Sequence, residues 1–150
     1  MIAAKTFYEL NNQELYQILR LRSEVFVVEQ DCVYQDLDNK DQISVHIFLK
    51  EKDEIVAYTR IFKSGDYYKN PSIGRVVVSK RKRGKELGKQ IMIYSIEYIK
   101  KNLKGDKIEL SAQKYLDKFY KDLGFYKTGE EYLEDGIPHQ RMLIDLIWKY

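Results

Sequence analysis

Between Ile73 and Ile99 the chain reads IGRVVVSKRKRGKELGKQIMIYSIEYI, and this stretch leaves few folds open. Residues 73–78 are rich in branched apolar side chains, which favour a strand. A basic turn containing Gly84 and Gly88 follows, and Leu87, Ile91, Tyr94 and Tyr98 then fall at i, i+4, i+7 and i+11, one stripe of a helix. Strand, basic turn and helix together build an anion site from the backbone itself. The first N–H groups of a helix lack intrahelical partners and sit at the positive end of its dipole. Glycines let a phosphate come close, so a pyrophosphate is the natural guest. Neither the G-x-x-x-x-G-K-[ST] of nucleoside triphosphatases nor the G-x-G-x-x-G of dinucleotide folds is present. The turn therefore suits a different phosphate ligand, or it is a solvated basic turn.

The helix runs out at Gly105-Asp106, and Ile108, Leu110 and Ala112 mark the next buried strand. A strand–helix–strand of this length makes a right-handed crossover, so residues 73–78 and 107–113 are expected to run parallel. The C-terminal ends of two such strands can splay and admit a ligand. Phe119-Tyr120-Lys121-Asp122-Leu123-Gly124-Phe125 reads as a short helix stopped by Gly124. Residues 127–132 and 139–148 read as two more strands, with Met142, Ile144 and Leu146 inward, joined by a turn at Glu134-Asp135-Gly136-Ile137-Pro138-His139.

Upstream, residues 5–10 carry a short strand. Asn11 with Glu14 reads as a capping box opening a helix whose apolar face, Leu15, Ile18, Leu19, Val25 and Phe26, runs to about Val28. Leu21 and Arg22 interrupt that stripe. Residues 26–38 show no clean period and read as a surface loop. Residues 44–50 and 55–63 pair as a hairpin across the charged turn 51–54.

A chain of 150 residues is expected to form one domain, residues 1–150, and to bury ~68–70% of its unfolded surface. The net charge of +3 is too small to argue for nucleic acid, but its distribution matters. Residues 80–89 hold six basic side chains against Glu86 alone, and residues 29–41 hold five acids against Lys40 alone. One anion-seeking and one cation-seeking patch read as a two-substrate enzyme or as a dipolar surface. Cys32 has no second cysteine to pair with, which suits the cytoplasm, and a small packed thiol is its expected role. No apolar run approaches the ~20 residues of a membrane span, so no membrane partner is expected.

Arg83-Gly84-Lys85-Glu86-Leu87-Gly88 resembles motif A of the GNAT superfamily of acetyl-CoA-dependent N-acetyltransferases, [QR]-x-x-G-x-[GA], with Glu86 where a glycine is usual. F-Y-x-x-L-G-F at residues 119–125 is a second GNAT hallmark. FVVEQDCVYQDLD at residues 26–38 and E-D-G-I-P-H at residues 134–139 are similar to the ElaA-like branch of that superfamily, which tolerates a non-glycine at the Glu86 position. The resemblance runs from about Tyr8 to Trp148, with four signatures in order.

The resemblance implies an α/β domain with a bent mixed sheet of six or seven strands and helices on both faces. It implies acetyl transfer from acetyl-CoA, without a metal, to a primary amine of a small molecule or peptide in a ternary complex. Arg81, Arg83, Gly84, Lys85, Gly88 and Lys89 would hold the pyrophosphate. Backbone groups of Val76, Val77 and Val78 would bind the pantetheine arm and polarise the thioester. Tyr120 would be the general acid, since a phenol of pKa ~10 is protonated at neutral pH; an ordinary amphipathic-helix tyrosine is the alternative. Glu29 or His139 would accept the amine proton, and Tyr34, Asp36 and Asp38 would lie near the acceptor. His46, within a strand, is expected to be packed. A CoA-binding regulator without turnover and, more remotely, a nucleic-acid module stay open, as does the oligomeric state, a homodimer included.

Overall fold

We describe residues 1–146 of a computed structural model of the chain. Strand β1 (Ile2–Thr6) starts earlier than expected and gives way to a 3₁₀ turn at Phe7–Glu9. Asn11 then opens α1 (Asn12–Arg22): its side chain accepts from the Glu14 N–H at 2.8 Å, and Glu14 accepts from the Asn11 N–H at 2.9 Å. Two orphan donors are satisfied reciprocally, as the sequence foretells. The helical path reaches Glu29, but Ser23–Glu29 is π-helical rather than α-helical. The N–H groups of Gln30 and Cys32 donate to carbonyls five residues back, on Val25 and Val27.

Strands β2 (Val45–Glu51) and β3 (Glu54–Phe62) form the expected hairpin. They are followed by β4 (Ser72–Val78), α2 (Leu87–Asn102), β5 (Lys107–Gln113), α3 (Asp117–Asp122), β6 (Tyr126–Glu134) and β7 (Ile137–Asp145). The seven strands make one sheet in the order β1-β2-β3-β4-β5-β7-β6, parallel at β4–β5 and antiparallel elsewhere. The expected final strand extended to Trp148, which lies outside the described residues.

The period-2 pattern of β2 separates two cores rather than core from solvent. Ile47 and Leu49 join Val56, Ile61 and the α2 residues Ile91 and Ile99 on one face. Phe48 joins Ile18, Leu21, Val25 and Tyr58 on the other, under α1. Burial on both faces is what a sheet with helices on each side requires. The last hairpin is tighter than expected. β6 and β7 close around Asp135 and Gly136, at φ 51° and 76°, the two left-handed residues of an Asp-Gly hairpin turn. His139 is thus an interior strand residue, opposite Tyr132. Among the described residues no helix is long and apolar enough to cross a membrane.

Candidate active site

The parallel neighbours β4 and β5 meet only at their start. Ser72 pairs with Glu109, whose N–H donates to the Pro71 carbonyl at 2.9 Å, and no further register joins them. On its other side β4 carries a bulge. Tyr58 pairs with Val77 and Arg60 with Gly74, so Thr59 faces two residues, Arg75 and Val76. Arg75 sits at φ 49°, the left-handed conformation that lets a bulged strand bend. The bend and the splay open a cleft of about 450 Å³, floored by Gly74 to Val78 and walled by β5, the end of the π-helical turn and the β6–β7 hairpin.

At the C-terminal end of β4 the cleft meets the first turn of α2. Gly84 has φ 85° and Glu86 φ 60°, so the backbone reverses twice before Leu87. No side chain caps α2, which leaves its leading N–H groups free for an anion. Gly88 lines the cleft, and a Cβ there would stand 3.5 Å from the Phe119 ring. Lys85 and Lys89 are exposed beside this turn.

Two of the expected pyrophosphate ligands are engaged elsewhere. Arg81 is ion-paired with Glu54 of the β2–β3 hairpin, outside the cleft, and its neighbour Lys82 pairs with Glu51 at 3.1 Å. Arg83 grips both oxygens of Glu29, at 2.5 and 2.9 Å, and also donates to the Val78 carbonyl at 3.1 Å. Glu29 and Arg83 therefore satisfy each other. The Arg83 hydrogen bonds hold the Glu29 carboxyl below the usual carboxylate range, which makes it a weak base.

Tyr120 lies on α3 and lines the cleft. Its ring packs edge-on to Phe119 and Phe125, with centroids 5.0 and 6.0 Å away, and only 5% of the residue is exposed. Burial pushes its phenol well above the usual value, so it stays protonated at neutral pH. His139 lines the same cleft from β7. Its Nδ1 is 2.7 Å from the Ile137 carbonyl, which can only accept, so in the neutral ring Nδ1 carries the proton and Nε2 the lone pair. Nε2 lies 3.4 Å from a Glu134 oxygen. His46 is packed, as expected. It is fully buried between the Tyr58 hydroxyl and the Asp41 carbonyl, and burial lowers its pKa.

The sequence that folds in this way matches a known family. The model of the acetyltransferase (GNAT) domain matches residues 5–146. The chain belongs to the GNAT family. Protein ElaA of Escherichia coli is 43% identical over 141 residues, covering 93% of this chain and 92% of that protein. Its crystal structure superimposes with a TM-score of 0.90 at 40% identity, covering 97% of this chain and 99% of that one. An acyl-CoA N-acyltransferase from Pseudomonas aeruginosa gives a TM-score of 0.89 at 36% identity, covering 96% and 99%. The ElaA-like resemblance is thereby borne out, as is the fold. GNAT acetyltransferases act on amine acceptors, and the GNAT fold supports acyl-CoA-dependent N-acyl transfer.

In this GNAT chain the loop after the π-helical turn holds a feature that sequence reading missed. Asp36 and Asp38, expected beside the acceptor, are committed to arginines. Asp36 accepts from Arg22 at 2.8 Å, from Arg75 at 2.7 Å and from the Tyr34 hydroxyl at 2.9 Å. Arg22 also reaches Asp41 at 2.7 Å, and Arg60 bridges Asp38 at 2.8 Å to Asp41 at 3.0 Å. Arg75 thus ties the bulge of β4 to the loop that walls the cleft. Two signals pointed here: Arg22 sits on the apolar stripe of α1, four residues after Ile18, and Gly74 sits inside a strand, where glycine often marks a bulge. Cys32 is half-buried on the cleft wall, its thiol 3.5 Å from the Asp135 carbonyl.

Proposed function

We propose that the protein transfers an acetyl group from acetyl-CoA to a primary amine bound in the same cleft. The splay of β4 from β5, leading to an uncapped helix N-terminus, carries this reading. It is a slot for an extended arm that ends on an anion site, which suits pantetheine and pyrophosphate. The backbone of Gly84, Gly88 and the first turn of α2, with the side chains of Lys85 and Lys89, would hold the pyrophosphate. Arg83 and Glu29, paired with each other on the cleft wall, would brace the turn rather than bind the pyrophosphate, and Arg81 faces Glu54. Backbone groups of Val76, Val77 and Val78 that face the side left open by β5 would pair with the arm and donate to the thioester oxygen as negative charge develops there. On the other side β3 pairs with Val77 and Val78, and Arg83 occupies the Val78 carbonyl.

His139 Nε2 would take the proton that the amine must lose, and Glu134 would steady the resulting imidazolium. As the new C–N bond forms and the C–S bond breaks, Tyr120 would give its phenolic proton to the departing sulfur. The pairing of Arg81 and Lys82 with Glu54 and Glu51 spends much of the basic patch that a nucleic-acid module would need.

Calorimetric titration with acetyl-CoA is expected to show micromolar binding, weakened about tenfold or more in the double variant Lys85→Glu/Lys89→Glu. Folded, CoA-free wild-type protein that does not bind would overturn the reading. Glu86→Gly is expected to tighten binding by about fivefold, because it removes a carboxylate beside the anion site. Its effect on stability is small. The left-handed conformation costs a non-glycine residue ~1–2 kcal/mol, and glycine's greater unfolded-state entropy offsets ~0.5–1 kcal/mol of the relief. Unchanged affinity in that variant would place the pyrophosphate away from residue 86.

A further inference from the structure

Strand β6 falls out of step with β7 beside the cleft. Thr128 pairs with Arg141 and Tyr132 with His139, so Gly129, Glu130 and Glu131 face the single residue Gln140. Gly129 sits at φ 72°, the left-handed conformation in which a glycine opens a bulge. In an unbroken ladder Glu130 would stand opposite His139. The two extra residues put Tyr132 there instead. We infer that the bulge aims Tyr132 at His139, and that Tyr132 is a positioning residue that fixes the imidazole in the cleft. The inference rests on the reading of His139 as the base. Tyr132 itself is not among the residues that line the cleft, so it acts through its neighbour.

The Tyr132 ring lies at 22° to the imidazole with centroids 6.2 Å apart, inside the ~4.5–7 Å range over which ring pairs interact. Its hydroxyl reaches past β7 to Ser111 of β5 at 2.5 Å, so the tyrosine is held at its tip as well as at its backbone. Ser111 in turn donates to Glu134 at 3.4 Å, whose carboxylate can only accept, which makes the Tyr132 hydroxyl the donor to Ser111. Arg141, tied to Glu109 at 2.5 Å, stands 6.0 Å from the same ring. His139 has little else to orient it. Its Nδ1 bond runs to the Ile137 carbonyl two residues back, and its Nε2 has a loose contact, 3.4 Å, to the exposed Glu134 side chain. A single hydrogen bond leaves the ring free to turn about it. The face of Tyr132 sets the ring plane, and with it the direction of the Nε2 lone pair. That direction decides whether the amine proton can be taken, and a misplacement of about 1 Å can cost ~100-fold in rate.

The test is heteronuclear magnetic resonance of the two histidine rings at mildly alkaline pH. Calorimetric CoA binding and acetyl-CoA-dependent thiol release with methylamine, the smallest primary amine, are measured on the same proteins. Wild type is expected to show His139 as one tautomer, protonated at Nδ1. Tyr132→Leu is expected to average the two tautomers and to lower kcat for methylamine by about 10–100-fold, with CoA affinity within about twofold of wild type. The signals of His46, fully buried in β2, should stay in place and report an intact fold. Ser111→Ala, which unties the hydroxyl and keeps the ring, should lower kcat roughly threefold to tenfold, and Ser111→Thr should restore it. A single unchanged tautomer or an unchanged kcat in Tyr132→Leu overturns the inference and leaves the transferase intact. So does a tautomer mixture in wild type. If Tyr132→Leu loses the His46 signals, the Ser111 variants decide, and equal kcat in both overturns the inference. Wild-type kcat in His139→Gln, or CoA binding by wild type without acetylation of methylamine, instead overturns the reading beneath it.

Discussion

Tyr120→Phe is expected to lower kcat by ~10²–10⁴-fold and to leave acetyl-CoA affinity within about twofold of wild type. The size follows from the leaving group. A departing thiolate needs a proton, and the buried phenol keeps one at neutral pH because burial disfavours its anion. Phenylalanine keeps the ring between Phe119 and Phe125, so packing is conserved and only the proton is lost. kcat and kcat/KM for the amine should fall together, the signature of an interaction made only in the transition state. An unchanged kcat, in a variant that binds acetyl-CoA normally, would remove Tyr120 from the chemistry. It would leave the tyrosine as a packing residue of α3.

The largest stability effect is expected at Arg22. It is 0% exposed and holds Asp36 at 2.8 Å and Asp41 at 2.7 Å. Arg22→Ala takes one of two arginine partners from each of two largely buried carboxylates, leaving Arg75 on Asp36 and Arg60 on Asp41, and opens a cavity. Breaking a buried pair from one side costs about 3–5 kcal/mol, or about 10 °C in Tm for a chain of this length. By contrast Lys118→Ala, which breaks an exposed i,i+4 pair with Asp122, should leave Tm within about 1 °C. Equal Tm changes in the two variants would show that the buried network does not hold the fold.

The same network sets the pH dependence. Burial raises the Asp38 carboxyl, but Arg60, through its hydrogen bonds and charge, outweighs burial and pulls it down to about 2. Asp41 is likewise drawn below its ordinary value, burial being outweighed by Arg22 and Arg60. Carboxyls depressed in the folded state contribute stability above ~pH 4, and that contribution is lost as pH falls toward 2. His46 acts in the same direction from a higher pH. It is buried as the neutral ring, so below ~6.5 the unfolded chain takes up a proton that the folded one refuses. Tm should therefore decline in two stages on acidification, and the later stage should be smaller but still present in Arg22→Ala, because Arg60 still holds Asp38 and Asp41.

What was legible in the sequence was mostly local or sequential. The capping box of Asn11 and Glu14, the crossover from residues 73–78 to 107–113 and the basic turn before α2 each depend on residues close along the chain or on a short period. Only Gly74 hinted at the bulge at Arg75, because an arginine in a branched-apolar run looks like an outward strand residue. Its left-handed φ is held by Asp36, 39 residues upstream. The mutual capture of Glu29 and Arg83, 54 residues apart, was invisible for the same reason: charge sign shows in the sequence, partnership does not. Residues 29–41 thus looked like a patch for a cationic acceptor, while the fold spends most of those acids on its own arginines. His139 was placed at a strand start because Gly136 and Pro138 suggested a wide turn. The Asp-Gly pair alone closes it, with Pro138 inside β7 opposite Leu133 of the edge strand β6.

The most direct measurement is a crystal structure of the protein grown with CoA. The account predicts the pantetheine arm lying between β4 and β5 beyond Ser72 and Glu109, with its pyrophosphate on the N–H groups between Gly84 and Lys89. The sulfur should lie within hydrogen-bonding reach of the Tyr120 hydroxyl. CoA found elsewhere on the surface, or a pyrophosphate held by Arg81 with the first turn of α2 left free, would contradict it.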